Sequence, residues 1–404
     1  MMVQRRLFTI TPKINGDISQ LPVEILLMIF NHLDPTFLVN TVASVCKRFK
    51  TVLLDEEYWK IAYYRVLKSY QSVEEVKILE HYGVFKETWR CEPDIHWKDL
   101  AVRLKSVNDR WNGKLDVVKF HSSTETVGTV HILKDCNVCI TGSRERCIDL
   151  WSIESRPYIK STVVDAHKGW VSCLASFEKD YFLSGAWDST LTYWNIGESI
   201  CHPVWSYDCG RGVMAIAGRR GLVAVGAFSP SIILIDPRIQ EKIQSTRFAI
   251  HEKPLVSITF MGNSIISVGR DLKLNVFDLR KLSVVHSVPI CQNAFPRSLA
   301  LRNDIVYVGD SKGFVHLFDA NDSFQKFQQI SITNRKYQVA SICPDLGSFL
   351  AGCTDHTVKV IVPSTPMYVM KVVDVEHEIT SMSYQNKMLA VGKTNGAIDV
   401  FRPG

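Results

Sequence analysis

The sequence predicts a multidomain α+β protein in which a small helical module and a helical linker precede an all-β propeller of seven blades. Residues 20–110 carry apolar side chains at helical spacing, whereas residues 115–404 consist of short apolar runs between Gly, Asp and Asn turns. In the second part, one strand-turn-strand pattern recurs seven times. We therefore expect a flexible N-terminus over 1–19, a helical domain over 20–60, a helical linker over 61–114 and the propeller over 115–404.

The seven repeats share one internal order. A strand of small and apolar residues ends at or near Gly, a turn follows, and a second strand ends in a large apolar residue. These large residues are 40 to 43 positions apart, and a period of about 40–45 residues with strand content is typical of four-stranded propeller blades. The segments are 139–153, 182–196, 223–237, 265–279, 306–320, 349–363 and 389–403.

The seventh repeat leaves one strand unaccounted for. Phe401 lies three residues before the last residue, so no sequence follows it for an outer strand. The segment LDVVKF, from Leu115 to Phe120, alternates apolar and polar residues and precedes the first repeat. We predict that it supplies the outer strand of blade seven and covers an edge that would otherwise be open.

One repeat contains four residues that could form a hydrogen-bonded chain: His167, Ser184, Asp188 and Trp194. The Asp carboxylate can accept from the imidazole, the imidazole can bond the Ser hydroxyl, and that hydroxyl can accept the indole N–H. A Ser-His-Asp set also suits a hydrolase, but no strand-turn-helix elbow surrounds Ser184. We interpret the four residues as structural and predict no catalytic residues.

Composition excludes several other classes of function. The net charge is +6 without a dense Lys/Arg block, which argues against nucleic-acid binding. No phosphate-loop, zinc-protease or nucleophile-elbow motif is present, so no cofactor is predicted. The C-x-x-C pair Cys136 and Cys139 has no matching second pair, which favours buried thiols over a metal site. Eleven Cys without a signal peptide or membrane helix indicate an intracellular protein, cytoplasmic or nuclear.

The helical module resembles a known family. LPVEILLMIFNHLDPTFLVNTVASVCKRFKTVLLDEEYW, from Leu21 to Trp59, has the L-P-x-E opening, the I-F-x-x-L-D-P, the V-C-K-R-F core and the closing Y-W of the F-box. This resemblance implies a three-helix module that docks onto the SKP-type adaptor of SCF cullin-RING ubiquitin ligases. A module of about 40 residues cannot bury all its apolar surface, which leaves some for a partner. The matching candidates for adaptor binding are Leu21, Pro22, Glu24, Ile25, Leu27, Ile29, Phe30 and Leu33.

The seven repeats resemble degenerate WD repeats, in which the dipeptide that ends the repeat is never Trp-Asp, and the four-residue chain matches the structural tetrad of that family. WKDLAVRLKSVNDRW, from Trp97, is similar to segments that join F-box and propeller in F-box/WD-repeat proteins. The combined resemblance implies a non-catalytic substrate-recognition adaptor of an SCF-type ubiquitin ligase. The alternative is an interaction scaffold without ubiquitination, while an enzyme or nucleic-acid binder is less favoured.

The resemblance also implies where a substrate would bind. In WD-repeat propellers, ligands commonly occupy the face formed by the turns between the second and third strands and by the loops between blades. Arginines and aromatic rings recur at these positions, and they suit an acidic or phosphorylated peptide, although they are also compatible with an ordinary solvated surface. The candidates for substrate binding are Arg144, Trp170, Trp187, Arg211, Arg270, Arg297, Arg335 and Tyr337.

Overall fold

A computed structural model of the chain describes residues 18–68, 96–133, 138–153, 158–197, 201–219, 221–237, 245–345, 347–362 and 367–403. Most of the predicted N-terminus 1–19, and positions 69–95 of the predicted linker, lie outside these residues. The chain divides into two compact units, one comprising 1–77 with 94–106 and the other 78–93 with 107–404. Among the described helices, none is both long and apolar enough to cross a membrane.

The first unit is built from short helices. A 3-10 turn comes first, and a π-helical turn, Leu38–Val42, joins the second helix to the third. The helices are α1 (Val23–Phe30), α2 (Pro35–Phe37), α3 (Ala43–Val45), α4 (Lys47–Val52) and α5 (Glu56–Lys68). One further helix, α6, spans Trp97–Asn112.

Two local features define helix boundaries in this region. The Asp34 carboxylate accepts the backbone N–H groups of Thr36 (2.8 Å) and Phe37 (3.2 Å) and so caps α2. Pro35 fits the first helical position because no N–H is needed there. The boundary predicted at residue 60 falls inside α5, since Trp59 and Tyr63 belong to one buried stripe.

The second unit is the predicted seven-bladed propeller. Each blade is a four-stranded antiparallel sheet whose neighbouring strands are consecutive in the chain, except in blade seven. Blade one comprises β2 (Val127–Ile132), β3 (Val138–Ser143), β4 (Ile148–Ser152) and β5 (Tyr158–Val163), and blade two comprises β6 (Val171–Glu178), β7 (Tyr181–Ala186), β8 (Thr190–Ile196) and β9 (Cys201–Asp208). Blade three comprises β10 (Val213–Arg219), β11 (Leu222–Ala227), β12 (Ser231–Ile235) and β13 (Ser245–Ala249), blade four β14 (Leu255–Met261), β15 (Ser264–Gly269), β16 (Lys273–Asp278) and β17 (Ser283–Pro289), and blade five β18 (Pro296–Arg302), β19 (Ile305–Asp310), β20 (Phe314–Asp319) and β21 (Gln325–Ser331). Blade six comprises β22 (Val339–Asp345), β23 (Ser348–Cys353), β24 (Thr357–Val362) and β25 (Tyr368–Asp374), and blade seven comprises β26 (Ile379–Gln385), β27 (Met388–Lys393), β28 (Ala397–Pro403) and β1 (Leu115–His121).

Packing between blades explains the repeat pattern. The second strand of a blade is covered on both faces, so β3 is buried at every position and reads as an uninterrupted run of small and apolar residues. The large residue near the end of the third strand of each blade packs against a neighbouring blade. In blade seven, this third strand is β28. All seven of these residues are at most 5% exposed: Trp151, Trp194, Ile235, Phe277, Phe318, Ile361 and Phe401.

Ring closure is confirmed. Strand β1 pairs antiparallel with β28, from Leu115 opposite Pro403 to His121 opposite Ala397. The ring of Phe120 packs 4.3 Å, centroid to centroid, from the ring of Trp151. The first strand of the propeller thus completes its last blade and covers the edge of β28.

Candidate functional site

One end of the propeller, which we call the turn face, is formed by the turns between the second and third strands and by the loops between blades. A single hydrogen bond recurs there in all seven blades, with N···O distances of 2.7–3.1 Å. It places equivalent turn residues at equivalent positions. The donor N–H and acceptor C=O groups belong to Arg144 and Thr126, Trp187 and Trp170, Phe228 and Gly212, Arg270 and Pro254, Ser311 and Phe295, Thr354 and Gln338, and Thr394 and Glu378.

A cavity of about 620 Å³ opens on the turn face. It brings together five of the eight residues proposed from sequence to bind substrate, which come from blades one, two, five and six or the loops beside them. Both indoles are also accessible to solvent, with Trp170 47% and Trp187 45% exposed. The five residues are Arg144, Trp170, Trp187, Arg297 and Tyr337.

The other three candidates are not among the residues that line this cavity. Arg270 lies over the ring of Phe228, 5.4 Å from its centroid, and Arg335 lies over Phe314 at 5.9 Å. Arg211 is exposed on the loop before blade three. The arginines of the turn face are therefore divided between the cavity and its surroundings.

Aromatic contacts orient the side chains in and beside the cavity. The Arg144 guanidinium lies 4.7 Å from the centroid of a Trp170 ring, an arrangement that holds the cation while leaving N–H groups for a ligand. Trp187 packs against Phe228 at 5.8 Å. Gly212 permits this position of Trp187, because a Cβ at residue 212 would lie 2.9 Å from Cε3 of the indole.

The electrostatics of the cavity favour an anion. Arg297 is accessible to solvent, yet burial among protein atoms and the neighbouring Arg270 charge both lower its pKa. Within the described part of the chain, Arg144, Arg270 and Arg297 form no ion pair. A ligand carboxylate or phosphate would therefore relieve repulsion between two cations as well as accept their N–H groups.

Some cavity residues escaped the sequence analysis because they are neither basic nor aromatic. Gln338, Thr380 and Glu378 also line the cavity. Glu378 directly precedes the first strand of blade seven, as Trp170 precedes that of blade two. The register of the repeat could therefore have identified Glu378, which adds one negative charge to the cavity.

The proposed adaptor-binding residues mostly lie at the surface of the helical unit. Ile25 is 41% and Ile29 40% exposed, Pro22 and Glu24 are exposed, and Leu21, Leu27 and Leu33 are half-buried.

Phe30 is a correction to that set, because it is only 3% exposed and packs edge-on against Phe49, with the ring centroids 5.4 Å apart. It supports the fold and is not available to a partner. Sequence analysis missed three further exposed apolar residues of this unit, Val23 (42%) and Met28 (62%) on α1 and Phe37 (48%) on α2.

The four residues of the tetrad are joined as a structural chain. His167 Nδ1 lies 3.2 Å from Asp188, His167 Nε2 lies 2.6 Å from Ser184 Oγ, and the Trp194 indole donates to that oxygen at 2.7 Å. Burial lowers the pKa of His167, which favours the neutral imidazole. Ser184 is 0% exposed and so cannot meet a substrate, which argues against the hydrolase alternative.

Loss of the tetrad hydroxyl should destabilise the propeller. Ser184→Ala leaves the Trp194 indole N–H and a His167 ring nitrogen without partners, so we expect a loss of about 2–3 kcal/mol in chemical denaturation. Ser267→Ala is the matched control, because Ser267 Oγ lies 2.9 Å from His251 Nε2 while Phe277 replaces the Trp. It should cost about 1 kcal/mol less. Equal losses would contradict a contribution from the indole.

Only one half of the C-x-x-C pair can be described. Cys139 is buried, and burial raises the pKa of its thiol to about 12. Such a thiol stays protonated and unreactive near neutral pH. Cys136 lies outside the described residues.

Comparison with known proteins agrees with both parts of the fold. The family described as F-box-like matches residues 18–65, and the WD domain, G-beta repeat family matches residues 159–195. The chain is 25% identical to F-box/WD repeat-containing protein 9 from Bos taurus over 86% of this chain and 74% of that protein. It is 22% identical to the protein of the same name from Homo sapiens, over 95% and 82% of the two chains. F-box/WD repeat-containing protein mec-15 from Caenorhabditis elegans is 25% identical over 78% of each chain.

The fold and these matches show an F-box-like helical region followed by a seven-bladed β-propeller, one part of which matches a WD repeat. The resemblance to the F-box/WD-repeat proteins is thereby confirmed. Proteins of this type are typically non-catalytic adaptors, and neither family match indicates a catalytic domain.

Proposed function

We propose that this protein is the substrate-recognition subunit of an SCF-type ubiquitin ligase, acting in the cytoplasm or nucleus. The F-box-like region binds a SKP-type adaptor, and through it a cullin, while the propeller holds the protein substrate. The observation that carries this proposal is the F-box-like match over 18–65 together with the exposed Ile25, Met28 and Ile29. Such a protein forms no covalent bond itself but raises the local concentration of substrate lysines near the ubiquitin-carrying enzyme.

The proposed substrate segment is an acidic or phosphorylated peptide bound on the turn face. Arg144 and Arg297 line the cavity without an ion pair inside the described chain, and Trp170 and Trp187 offer exposed indole rings. A phosphate group carries about −1.5 to −2 charges and accepts several N–H groups at once. The aromatic rings would contact the apolar residues that flank it.

Affinity purification of the full chain tests the ligase assignment. We expect the SKP-type adaptor and a cullin to co-purify with the native chain and to be absent from a Leu21→Ala/Pro22→Ala variant, while propeller ligands remain. Captured ligands should turn over more slowly when the cullin is inhibited. Capture of the adaptor without cullin-dependent turnover would instead favour the scaffold alternative.

Charge reversal tests the substrate class. The double variant Arg144→Glu/Arg270→Glu should reduce substrate capture about tenfold or more, because charge-assisted hydrogen bonds contribute about 1.5–3 kcal/mol each. Adaptor binding should be unchanged, and phosphatase or added salt should weaken capture by the native chain.

A matched control changes the same charge at the opposite end of the propeller. Arg219 ends the first strand of blade three and stacks 4.9 Å from the Phe260 centroid, and Arg280 follows the third strand of blade four. Arg219→Glu/Arg280→Glu should leave capture intact. If both double variants behave alike, or phosphatase and salt have no effect, the acidic peptide assignment is wrong.

A further inference from the structure

Three side chains able to bind a metal meet at blade five. Cys291 lies in the loop between β17 and β18, Asp310 ends β19, and His316 lies in β20. One ligand atom from each residue lies within 4.8 Å of the other two. Asp310 is 1% and His316 2% exposed, whereas Cys291 is half-buried. The group is therefore largely shielded from water, with access on the cysteine side.

Hydrogen bonding at this cluster differs from that in blades two and four. In those blades both ring nitrogens of His167 and of His251 have partners. In blade five, His316 Nε2 lies 2.9 Å from Asp310 Oδ2, but the buried His316 Nδ1 has no hydrogen-bond partner among the described residues. Nδ1 is therefore free to carry the proton of the neutral imidazole, which would leave the Nε2 lone pair available to an ion.

The chemistry of the three donors matches one class of ion. Thiolate, carboxylate and imidazole together form a donor set of Zn²⁺ and similar divalent transition metals. Ligand atoms about 2.0–2.3 Å from a tetrahedral ion lie roughly 3–4 Å from one another, so the cluster needs only a small contraction or shift. The Ala294 carbonyl oxygen, 2.9 Å from Cys291 Sγ, is near enough to serve as a further donor.

We propose that Cys291, Asp310 and His316 bind a divalent transition-metal ion of the zinc type, with the Ala294 carbonyl or a water as the fourth donor. The ion takes the place of the proton on His316 Nε2, the imidazole stays neutral by carrying its proton on Nδ1, and the proton of the Cys291 thiol is released to water. Two backbone N–H groups, from Lys312 (2.8 Å) and Phe314 (2.9 Å), already hold the other Asp310 oxygen in place.

Metal binding would fix a segment of the turn face. The loop that carries Cys291 also carries Phe295, which is 53% exposed, and leads directly to Arg297 in the cavity. An ion at Cys291 would fasten this loop to the second and third strands of blade five. The metal site stands on its own geometry and does not depend on the proposed ligase function.

Titration of the full, chelator-treated chain with Co²⁺ tests the site. We expect one Co²⁺ per chain with a thiolate-to-cobalt absorption band in the near ultraviolet. Cys291→Ser should abolish the band, and His316→Gln should weaken Co²⁺ binding at least tenfold. Zn²⁺ should displace Co²⁺ and raise the Tm of the native chain but not that of Cys291→Ser.

Cys147→Ser is the matched control, because Cys147 is also half-buried and close to the carboxylates of Glu145 and Asp149 but belongs to no metal-binding group with a histidine among the described residues. It should keep the full absorption band. The site is overturned if the native chain gives no thiolate band, or if the band survives in Cys291→Ser. If His316→Gln fails to fold, the result for Cys291→Ser is sufficient to test the site. That variant replaces one half-buried sulfur atom with oxygen and keeps the buried His316–Asp310 hydrogen bond.

Discussion

Aspartate in place of Ile25 should abolish capture of the SKP-type adaptor. Leu26, which is 0% exposed, holds α1 in the core, while Ile25 is 41% exposed and free to meet a partner. A partner that covers residue 25 would bury an unpaired carboxylate at a cost of several kcal/mol. We expect affinity to fall about 100-fold or more, equivalent to about 3 kcal/mol, as measured by calorimetry with purified adaptor.

Ile61→Asp provides the control for this change. Ile61 is 57% exposed on α5 and, although it lies within the F-box-like match, it is not one of the proposed adaptor-binding residues, so the same substitution there should leave affinity within about threefold. Circular dichroism would verify that both variants keep their helices. Equal adaptor binding by folded Ile25→Asp and native protein would remove α1 from the proposed interface.

Removal of β1 should cost far more stability than removal of everything before it. A chain beginning at residue 114 keeps β1, whereas a chain beginning at residue 122 exposes the edge of β28. The half-buried Leu115, Val118 and Phe120 contribute about 1 kcal/mol each, and the lost ladder hydrogen bonds contribute a similar amount each. We expect a difference of about 5 kcal/mol or more in chemical denaturation, with association of the shorter chain through its open edge.

A peptide supplied in trans makes this comparison specific. Residues 114–122 as a synthetic peptide should restore the stability of the shorter chain in proportion to the logarithm of peptide concentration, because it binds only the folded propeller. A peptide of the same composition in scrambled order should not. Equal stabilities of the two truncated chains would show that the β1–β28 ladder contributes little.

The propeller was predictable because a weak signal was repeated. No single segment except the one ending in Trp194 carries a complete tetrad, and Ile235 or Ile361 alone would identify nothing. Seven large residues at nearly constant spacing have one common explanation, which is that each fills the same space between blades. Placement of β1 followed from counting strands, which requires no tertiary information.

Side-chain positions were predictable only as far as repeat register determines them. Register placed Arg144 and Arg270 at equivalent turns, and the recurring backbone hydrogen bond agrees with this. Register does not determine rotamers, so the stacking of Arg144 on Trp170 and of Arg270 on Phe228 could not be foreseen. The group at Cys291 was not predicted because its three members have no motif spacing and meet only when the loop before blade five lies beside the neighbouring strands β19 and β20.

Ring closure by β1 has a consequence for biosynthesis. His121 pairs with Ala397, so β1, the outer strand of blade seven, cannot pair with β28 until nearly the whole propeller has left the ribosome. Closing so long a loop is entropically costly and slow, and intermediate chains expose the unpaired edges of β1 and of the most recently made blade. A nascent chain of this protein should therefore be a client of chaperones until its C-terminal strand emerges. Truncation within the last blade, by a premature stop codon for instance, should yield aggregation rather than a shorter working propeller.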